Sequence, residues 1–245
     1  MPHFYVPAKN LRGLFFWFEP DTSRHLSRVL RKKRDDTVQI FDGRGLVRVA
    51  RITDDSDPDR LQGEILGRDP EPRPADAPKV RLYPALLKGP RFEWLLEKAV
   101  ELGVESIRPV VTDRVVVKLG ADRAGAKASR WKKIVIAAAQ QCGRAAVPEV
   151  FPPASLRSAL NDSDLDCPGL LLWESESRQS LSQVLQKPAF ASGRTIRLFV
   201  GPEGGFTMAE ARMVQSTGAQ PASLGGSILR AETAAIAALA RIVLA

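Results

Sequence analysis

The apolar positions of the first 66 residues follow the short, interrupted pattern that is typical of β-strands. Residues 38–41 and 46–52 flank an Asp-Gly pair at positions 42–43, which favours a tight hairpin turn between two strands. One short helix is predicted over residues 25–30, with three apolar side chains at helical spacing on its buried face: Leu26, Val29 and Leu30. The pattern indicates a small β-rich domain over residues 1–67.

A proline-rich segment follows this domain. Prolines at positions 70, 72, 74 and 78 fix φ and remove backbone donors. We therefore expect residues 68–78 to form an extended linker.

Beyond the linker, strand-like and helix-like segments alternate. Strands are predicted at four short apolar runs: residues 80–83, 107–111, 170–173 and 196–200. Helices are predicted from apolar stripes in four places: residues 92–102, 131–138, 207–216 and 231–243. Gly103 is expected to end the first of these helices, and Thr207 with Glu210 has the spacing of a capping box. Residues 79–245 are thus predicted to form an α/β domain with a mainly parallel sheet.

Composition narrows the class of protein. The chain has 245 residues and is 44% hydrophobic, which is enough for one large or two modest cores. Its two cysteines provide neither a disulfide framework nor a zinc set, so we expect no metal site. The N-terminal residues lack the pattern of a signal peptide, and no apolar run is long enough for a bilayer. These features predict a cytoplasmic protein.

The positive charge is concentrated in the middle of the chain. The formal net charge is +8, from 36 basic and 28 acidic residues. Residues 79–160 contain 15 basic and 7 acidic residues, a local excess of 8, whereas residues 1–78 contribute +1 and residues 161–245 contribute −1. Such an excess is expected if one surface binds a polyanion, although a solvated basic face would look the same.

Two glycine-bearing loops follow predicted strands late in the chain. Residues 201–206 read GPEGGF and residues 224–230 read LGGSILR. Neither loop has the lysine of a phosphate-binding P-loop or the spacing of a dinucleotide-binding turn. Their backbone groups and apolar neighbours suit an adenine ring and a nearly neutral chain better than a triphosphate. By composition alone, both loops could equally be ordinary tight turns.

The strings themselves resemble those of the RsmE family of SPOUT methyltransferases. The resemblance includes GPEGGF at 201–206 and LGGSILRAETA at 224–234. It continues through further segments in the same order along the chain: residues 25–31, 98–104, Arg114, 131–134, 141–144 and 147–149.

The resemblance implies a fold and an activity that periodicity alone does not predict. The fold is a parallel sheet with a C-terminal deep trefoil knot, here at about residues 170–245, preceded by a small PUA-like, RNA-binding β-barrel. The family works as a homodimer. Its reaction is the transfer of a methyl group from S-adenosylmethionine to N3 of a uridine in 16S ribosomal RNA.

The resemblance also implies roles for individual residues. Cofactor binding is expected from nine residues: Leu172, Gly201, Gly204, Gly205, Leu224, Gly225, Ile228, Leu229 and Arg230. Uracil N3 carries a proton, so methylation requires a base and a positive group near the developing charge. Arg230 is the candidate for the positive group, and Glu232 and Glu203 are candidate bases. Glu232 could instead be a structural residue, since the helix dipole favours a carboxylate in the first turn, and Glu203 could accept hydrogen bonds from its own loop.

RNA binding is expected from basic residues outside the glycine loops. These residues are His25, Arg28, Arg31, Lys88, Arg91, Arg114, Lys118 and Arg144.

The chain departs from the family pattern at a few positions. Gln140 stands where the family usually has Glu, Ala145 and Ala146 replace a polar or basic pair, and Trp173 replaces a frequent tyrosine. If that Glu took part in catalysis, its absence from this chain would favour a function other than methylation of 16S ribosomal RNA. The alternatives are an RNA-binding or ribosome-assembly protein without catalysis, and a SPOUT enzyme that acts on another RNA.

Overall fold

A computed structural model describes residues 3–68, 78–115, 121–161, 166–176, 178–190 and 194–244. The chain divides into two compact units, one formed by residues 1–73 with 136–147 and the other by residues 74–135 with 148–245. The sequence had suggested that residues 136–147 belong with the second unit. Most of the predicted linker, residues 69–77, lies outside the described residues.

The first unit is built on one six-stranded sheet. Its strands are β1 (His3–Tyr5), β2 (Leu11–Arg12), β3 (Phe15–Trp17), β4 (Thr37–Phe41), β5 (Val47–Asp54) and β6 (Gln62–Arg68). The sheet order is β1-β4-β5-β6-β3-β2, with β1 parallel to β4 and the other pairs antiparallel. The predicted hairpin is present as β4–β5, and Gly43 in its turn has a φ of +79° that favours glycine. Its core is one cluster of buried apolar side chains, among them Phe4, Phe16, Phe18 and Leu61.

The helical segment of this unit differs from the prediction. A short helix, α1 (Pro20–Arg24), leads into a π-helical turn at His25–Val29, in which Leu30 N donates to His25 O at 3.0 Å. Leu26 is buried as predicted, but Val29 and Leu30 are 66% and 38% exposed. The prediction for those two was wrong, because a π turn adds a residue per turn and shifts later side chains off the α-helical stripe.

The second unit has a mixed α/β fold with parallel sheets. Its main strands are β7 (Lys79–Pro84), β8 (Ser106–Ile107), β10 (Glu149–Val150), β12 (Gly169–Leu172), β13 (Thr195–Val200) and β14 (Gln220–Ala222). They are all parallel, in the order β10-β8-β7-β13-β12-β14. The strand predicted at 107–111 is interrupted, because β9 (Val110–Val111) leaves this sheet to pair with β11 (Ala154–Ser155).

Helices surround the parallel sheet. They are α2 (Pro90–Glu101), α4 (Leu156–Asn161), α5 (Leu181–Leu185), α6 (Met208–Gln215), α7 (Ala231–Val243) and the first part of α3 (Ala121–Gln141), whose last six residues belong to the first unit. A 3₁₀ turn lies at Pro188–Phe190. The four predicted helices are all present, and Gly103 follows α2 with a φ of +91° as expected for a C-terminal cap. No helix in the described part of the chain is long and apolar enough to cross a bilayer.

Candidate active site

Four neighbouring strands of the second unit end at the same edge of the sheet. Leu172, the last residue of β12, lies in register with Val200 of β13 and Ala222 of β14, and Val200 lies opposite Pro84 of β7. The 201–206 and 224–230 loops leave the sheet at this edge. Since ligands of open α/β sheets bind beyond the carboxyl ends of the strands, both glycine loops and Leu172 border one potential site.

The 201–206 loop is shaped by close backbone contacts. Gly205 has a φ of +69°, and a Cβ atom at this position would lie 2.0 Å from Oε1 of Glu174. A Cβ at Gly201 would lie 3.1 Å from the backbone nitrogen of Phe206. A side chain at either position would therefore require a shift, of the Glu174 side chain at Gly205 and of the loop backbone at Gly201.

The 224–230 loop is open on its outer side. Ser223 Oγ accepts a hydrogen bond from Gly225 N at 3.1 Å, and Gly225 has a φ of +114°. A Cβ at Gly225 or Gly226 would meet no atom within 4 Å. Ile228 is 92% exposed and Leu229 is also exposed. The loop thus borders free space with backbone amides and apolar side chains.

Helix α7 begins directly after this loop. Arg230 is its exposed N-cap residue and makes no side-chain capping bond, while Glu232 lies in the first turn. Glu232 is only 5% exposed, and within the described part of the chain its Oε2 has no hydrogen-bond partner. The helix N-terminus favours a carboxylate there, but a buried oxygen without a donor leaves one acceptor position of Glu232 open.

A cleft of about 730 Å³ lies beside the 201–206 loop. It is lined by Lys88, Gly89, Pro90, Arg91, Arg114, Glu203 and Gly204. Arg91 contacts both candidate bases, since its Nη1 lies 3.3 Å from Glu203 Oε1 and its Nε lies 3.9 Å from Glu232 Oε1. Arg114 Nη1 donates to Gly204 O at 2.7 Å. The cleft is therefore lined by three basic side chains expected to bind RNA and by the candidate base Glu203, and Arg91 links it to the buried Glu232.

Arg91 was expected to bind an RNA phosphate, but its guanidinium lies against two carboxylates of the protein. Two carboxylates share its guanidinium, so its charge is partly balanced within the protein. The alternative role considered for Glu203 was to accept hydrogen bonds from its own loop, but among the described contacts its partner is Arg91. Lys88 and Arg114 remain the more open cations of the cleft.

The other residues expected to bind RNA have mixed placements. His25, Arg28 and Arg31 are exposed in the first unit, within or just after the π turn. Arg144 is only 7% exposed, so it does not present the free guanidinium that a phosphate contact requires. Lys118 lies outside the described residues.

Gln140 has a structural role in the first unit. Its Oε1 accepts a hydrogen bond from the backbone nitrogen of Tyr5 in β1 at 3.1 Å. An amide oxygen and a carboxylate oxygen can both accept this bond, so glutamine preserves the contact. Ala145 and Ala146 contact the turn of the β4–β5 hairpin, where Ala145 O accepts from Gly45 N and Ala146 forms β-bridges with residues 43 and 44. These departures from the family pattern thus lie at contacts within the first unit.

Two family models match this chain. Residues 75–243 match the family model described as RNA methyltransferase domain, and residues 18–66 match the RNA methyltransferase PUA domain. The chain belongs to the RsmE family of RNA methyltransferases. It is 30% identical to ribosomal RNA small subunit methyltransferase E of Mesomycoplasma hyopneumoniae, over 96% of each chain.

Other proteins of the same name are also similar to this chain. The Bacillus subtilis protein of the same name is 35% identical over 170 residues, which are 67% of this chain and 65% of that protein. A crystal structure of ribosomal RNA small subunit methyltransferase E from Neisseria gonorrhoeae, bound to S-adenosyl methionine, is 33% identical. It superposes with a TM-score of 0.84, over 98% of this chain and 96% of that one.

Three features of this RsmE-family site were not predicted from the sequence. Arg91 joins Glu203 and Glu232, Glu174 lies against Gly205, and Glu210 contacts a distant turn. Each is a contact between residues far apart in the chain. The only local signal was the capping-box spacing of Glu210 with Thr207, which predicts the cap but not the distant contact.

Proposed function

We propose that the protein transfers a methyl group from S-adenosylmethionine to N3 of a uridine in 16S ribosomal RNA, as part of small-subunit maturation. Membership in the RsmE family and the names of its relatives support the reaction and the RNA. The observation that carries the proposal is the arrangement of the second unit, in which two glycine loops share one sheet edge beside a cleft lined by cations.

The backbone of the two loops fits this cofactor. In the 201–206 loop a side chain at Gly201 or Gly205 would require its neighbours to shift, while the 224–230 loop borders open space at Gly225. Main-chain amides and carbonyls can therefore approach an adenine and a ribose closely, with apolar side chains around them. The residues that would hold the cofactor are Leu172, Gly201, Gly204, Gly205, Leu224, Gly225, Ile228, Leu229 and Arg230. When bound, S-adenosylmethionine supplies an electrophilic methyl carbon on a sulfonium.

Glu232 is the base that we favour for the N3 proton. A carboxylate oxygen without a donor can accept that proton, and the guanidinium of Arg91 lies 3.9 Å from the other oxygen of the same carboxylate. Arg230, at the start of α7, is exposed and can stabilise negative charge that develops on the uracil oxygens. Glu203 shares Arg91 and is more exposed than Glu232, so we assign it to holding Arg91.

RNA is held by basic residues in each of the two units. Lys88 and Arg114 in the cleft are suited to phosphates next to the target uridine. In the first unit, the exposed residues His25, Arg28 and Arg31 provide a second basic surface. Lys118 is proposed only from its positive charge in the basic middle segment of the sequence.

The proposal includes a wider architecture. We assign residues 1–67 to a PUA-like RNA-binding β-barrel, 68–78 to a linker and 79–245 to a SPOUT domain with a trefoil knot at about 170–245. The match of residues 18–66 to a PUA family supports the first assignment. We further propose that the protein acts as a homodimer in the cytoplasm, where small subunits are assembled.

Methyl transfer from labelled S-adenosylmethionine tests the proposal. The substrates are 16S RNA, naked and within small subunits that lack the modification, and the product is mapped by mass spectrometry. We expect a single N3-methyluridine, and we expect Arg230→Ala to lose it. Cofactor binding without transfer to either substrate would contradict the ribosomal assignment, and would favour another RNA substrate or a binding protein without catalysis.

A further inference from the structure

Glu210 is a buried carboxylate whose two oxygens have different partners. It is 5% exposed and lies in the first turn of α6. Its Oε2 accepts from Thr207 N at 2.8 Å and from Thr207 Oγ1 at 3.0 Å, while Thr207 Oγ1 accepts from Glu210 N at 3.2 Å. These bonds form a complete capping box, which accounts for one oxygen of the carboxylate.

The other oxygen reaches a turn that is distant in sequence. Glu210 Oε1 accepts from the backbone nitrogen of Asp113 at 2.8 Å. Asp113 lies in a turn in which Val115 N donates to Thr112 O at 3.2 Å. The capping of α6 does not require this bond, so it needs an explanation of its own.

The turn held by Glu210 carries Arg114, which lines the cleft. Arg114 Nη1 donates to Gly204 O at 2.7 Å, and a Cβ at Gly204 would lie 3.4 Å from the Cβ and Cδ atoms of Arg114. Glu210 therefore fixes both sides of this contact. It holds Thr207, directly after the 201–206 loop, and it holds Asp113, directly before Arg114.

We infer that Glu210 is a positioning residue that holds Arg114 against the 201–206 loop for RNA binding. This inference rests on the proposed function, in which Arg114 contacts RNA phosphate. The chemistry requires a carboxylate, because all three partners of Glu210 are donors and only a carboxylate accepts at both oxygens. A glutamine would turn an NH₂ group toward one of these donors and would lose one tie.

The test separates positioning from helix capping with matched variants. Glu210→Gln keeps two hydrogen bonds if its oxygen faces Thr207 and only one if it faces Asp113, so we expect it to lose the bond from Asp113 N. Thr207→Val removes the hydroxyl of the cap and leaves the contact of Glu210 with Asp113. Binding of labelled, unmodified 16S RNA is measured by filter retention at a temperature where circular dichroism shows each variant folded. We expect Arg114→Ala to weaken binding about tenfold, Glu210→Gln three- to tenfold, and Thr207→Val less than twofold.

The experiment also includes a double variant and a variant that removes the hydrogen bond between Asp113 N and Glu210 from the other side. Glu210→Gln combined with Arg114→Ala should bind no more weakly than Arg114→Ala alone, since both changes remove one interaction. Asp113→Pro deletes the donated N–H but leaves the cap, and should also weaken binding, even though the loss of a negative charge alone would strengthen it. In turnover assays, Glu210→Gln should raise KM for RNA with little change in kcat.

The outcomes distinguish this inference from the proposed function. Equal binding by Glu210→Gln and Thr207→Val, or additive losses in the double variant, would overturn the positioning role while Arg114 remains an RNA contact. Normal RNA binding by Arg114→Ala would overturn both the positioning role and the proposed contact of Arg114 with RNA.

Discussion

The Nε atom of Arg91 lies 3.9 Å from Oε1 of Glu232, a carboxylate that is 5% exposed. This separation allows attraction between the charges but exceeds a hydrogen bond. The other oxygen of Glu232 has no partner in the described part of the chain. Arg91 thus balances the charge of Glu232 without occupying its acceptor positions, which is what a base for a substrate proton needs.

Removal of Arg91 should therefore impair catalysis more than RNA binding. Arg91→Ala takes away the shared cation of Glu232 and Glu203, and we expect kcat to fall by about 100-fold, with partial recovery in Arg91→Lys. Single-turnover methyl transfer at saturating RNA measures the effect. Lys98→Ala is the control on the same helix, because the ion pair of Lys98 among the described residues is with exposed Glu101, and it should change the rate less than about twofold. A loss of RNA affinity with unchanged kcat would contradict the assignment.

The two candidate bases should respond differently to the same change. Glu232→Gln keeps the size of the side chain but cannot take a proton, so we expect kcat to fall by about 10² to 10⁴-fold. Glu203→Gln retains an acceptor for Arg91 and should cost less than about tenfold. Calorimetric titration with S-adenosylmethionine should give wild-type affinity for both. The reverse order of the two rates would identify Glu203 as the base.

The glycines of the loops offer a matched test of the cofactor site. Gly205→Ala places a methyl group against the carboxylate of Glu174. It also forces an alanine into the left-handed backbone conformation of residue 205, which by itself costs about 1–2 kcal/mol. We expect lower thermal stability and loss of measurable S-adenosylmethionine binding. Gly226→Ala meets no neighbour within 4 Å and has no positive φ, so its stability should stay within about 0.5 kcal/mol. Normal cofactor affinity of Gly205→Ala would contradict the proposed role of the 201–206 loop.

The features that could be predicted from sequence are those that depend on near neighbours in the chain. The capping box of Thr207 with Glu210, the hairpin around Gly43 and the helix Ala231–Val243 all follow from local spacing and turn chemistry. The carboxyl-end placement of the glycine loops follows from a general rule for parallel sheets.

The features that were missed depend on contacts across the fold. The π turn at His25–Val29 could not be told from an α-helix by spacing, and it exposes Val29. Arg144 was predicted to be a surface residue that binds RNA, but its side chain is buried. Arg91 occurs among other basic residues, and its pairing with two glutamates requires helix α2 to lie beside helix α7 and the 201–206 loop.

Salt dependence should separate exposed from buried arginines. Arg114→Ala and Lys88→Ala should each lower RNA affinity and reduce the slope of log K against log salt by about 0.7, the value for one phosphate contact on a single strand. Arg144→Gln should lower thermal stability instead and leave the slope unchanged, because the side chain is buried. Filter binding at several salt concentrations measures the slopes. A reduced slope for Arg144→Gln would restore Arg144 as an RNA contact.

Substitutions at Gln140 test whether this position serves structure or catalysis. The Tyr5 N–H needs only an acceptor, so Gln140→Glu should keep both the first unit and methyl transfer intact. Gln140→Ala leaves that N–H without its partner and should lower the free energy of unfolding by about 1 kcal/mol, measured by urea denaturation. Methyl transfer by the folded alanine variant should remain near wild type. A large rise in kcat for Gln140→Glu, at unchanged stability, would show instead that a carboxylate here takes part in the reaction and that this chain has lost it.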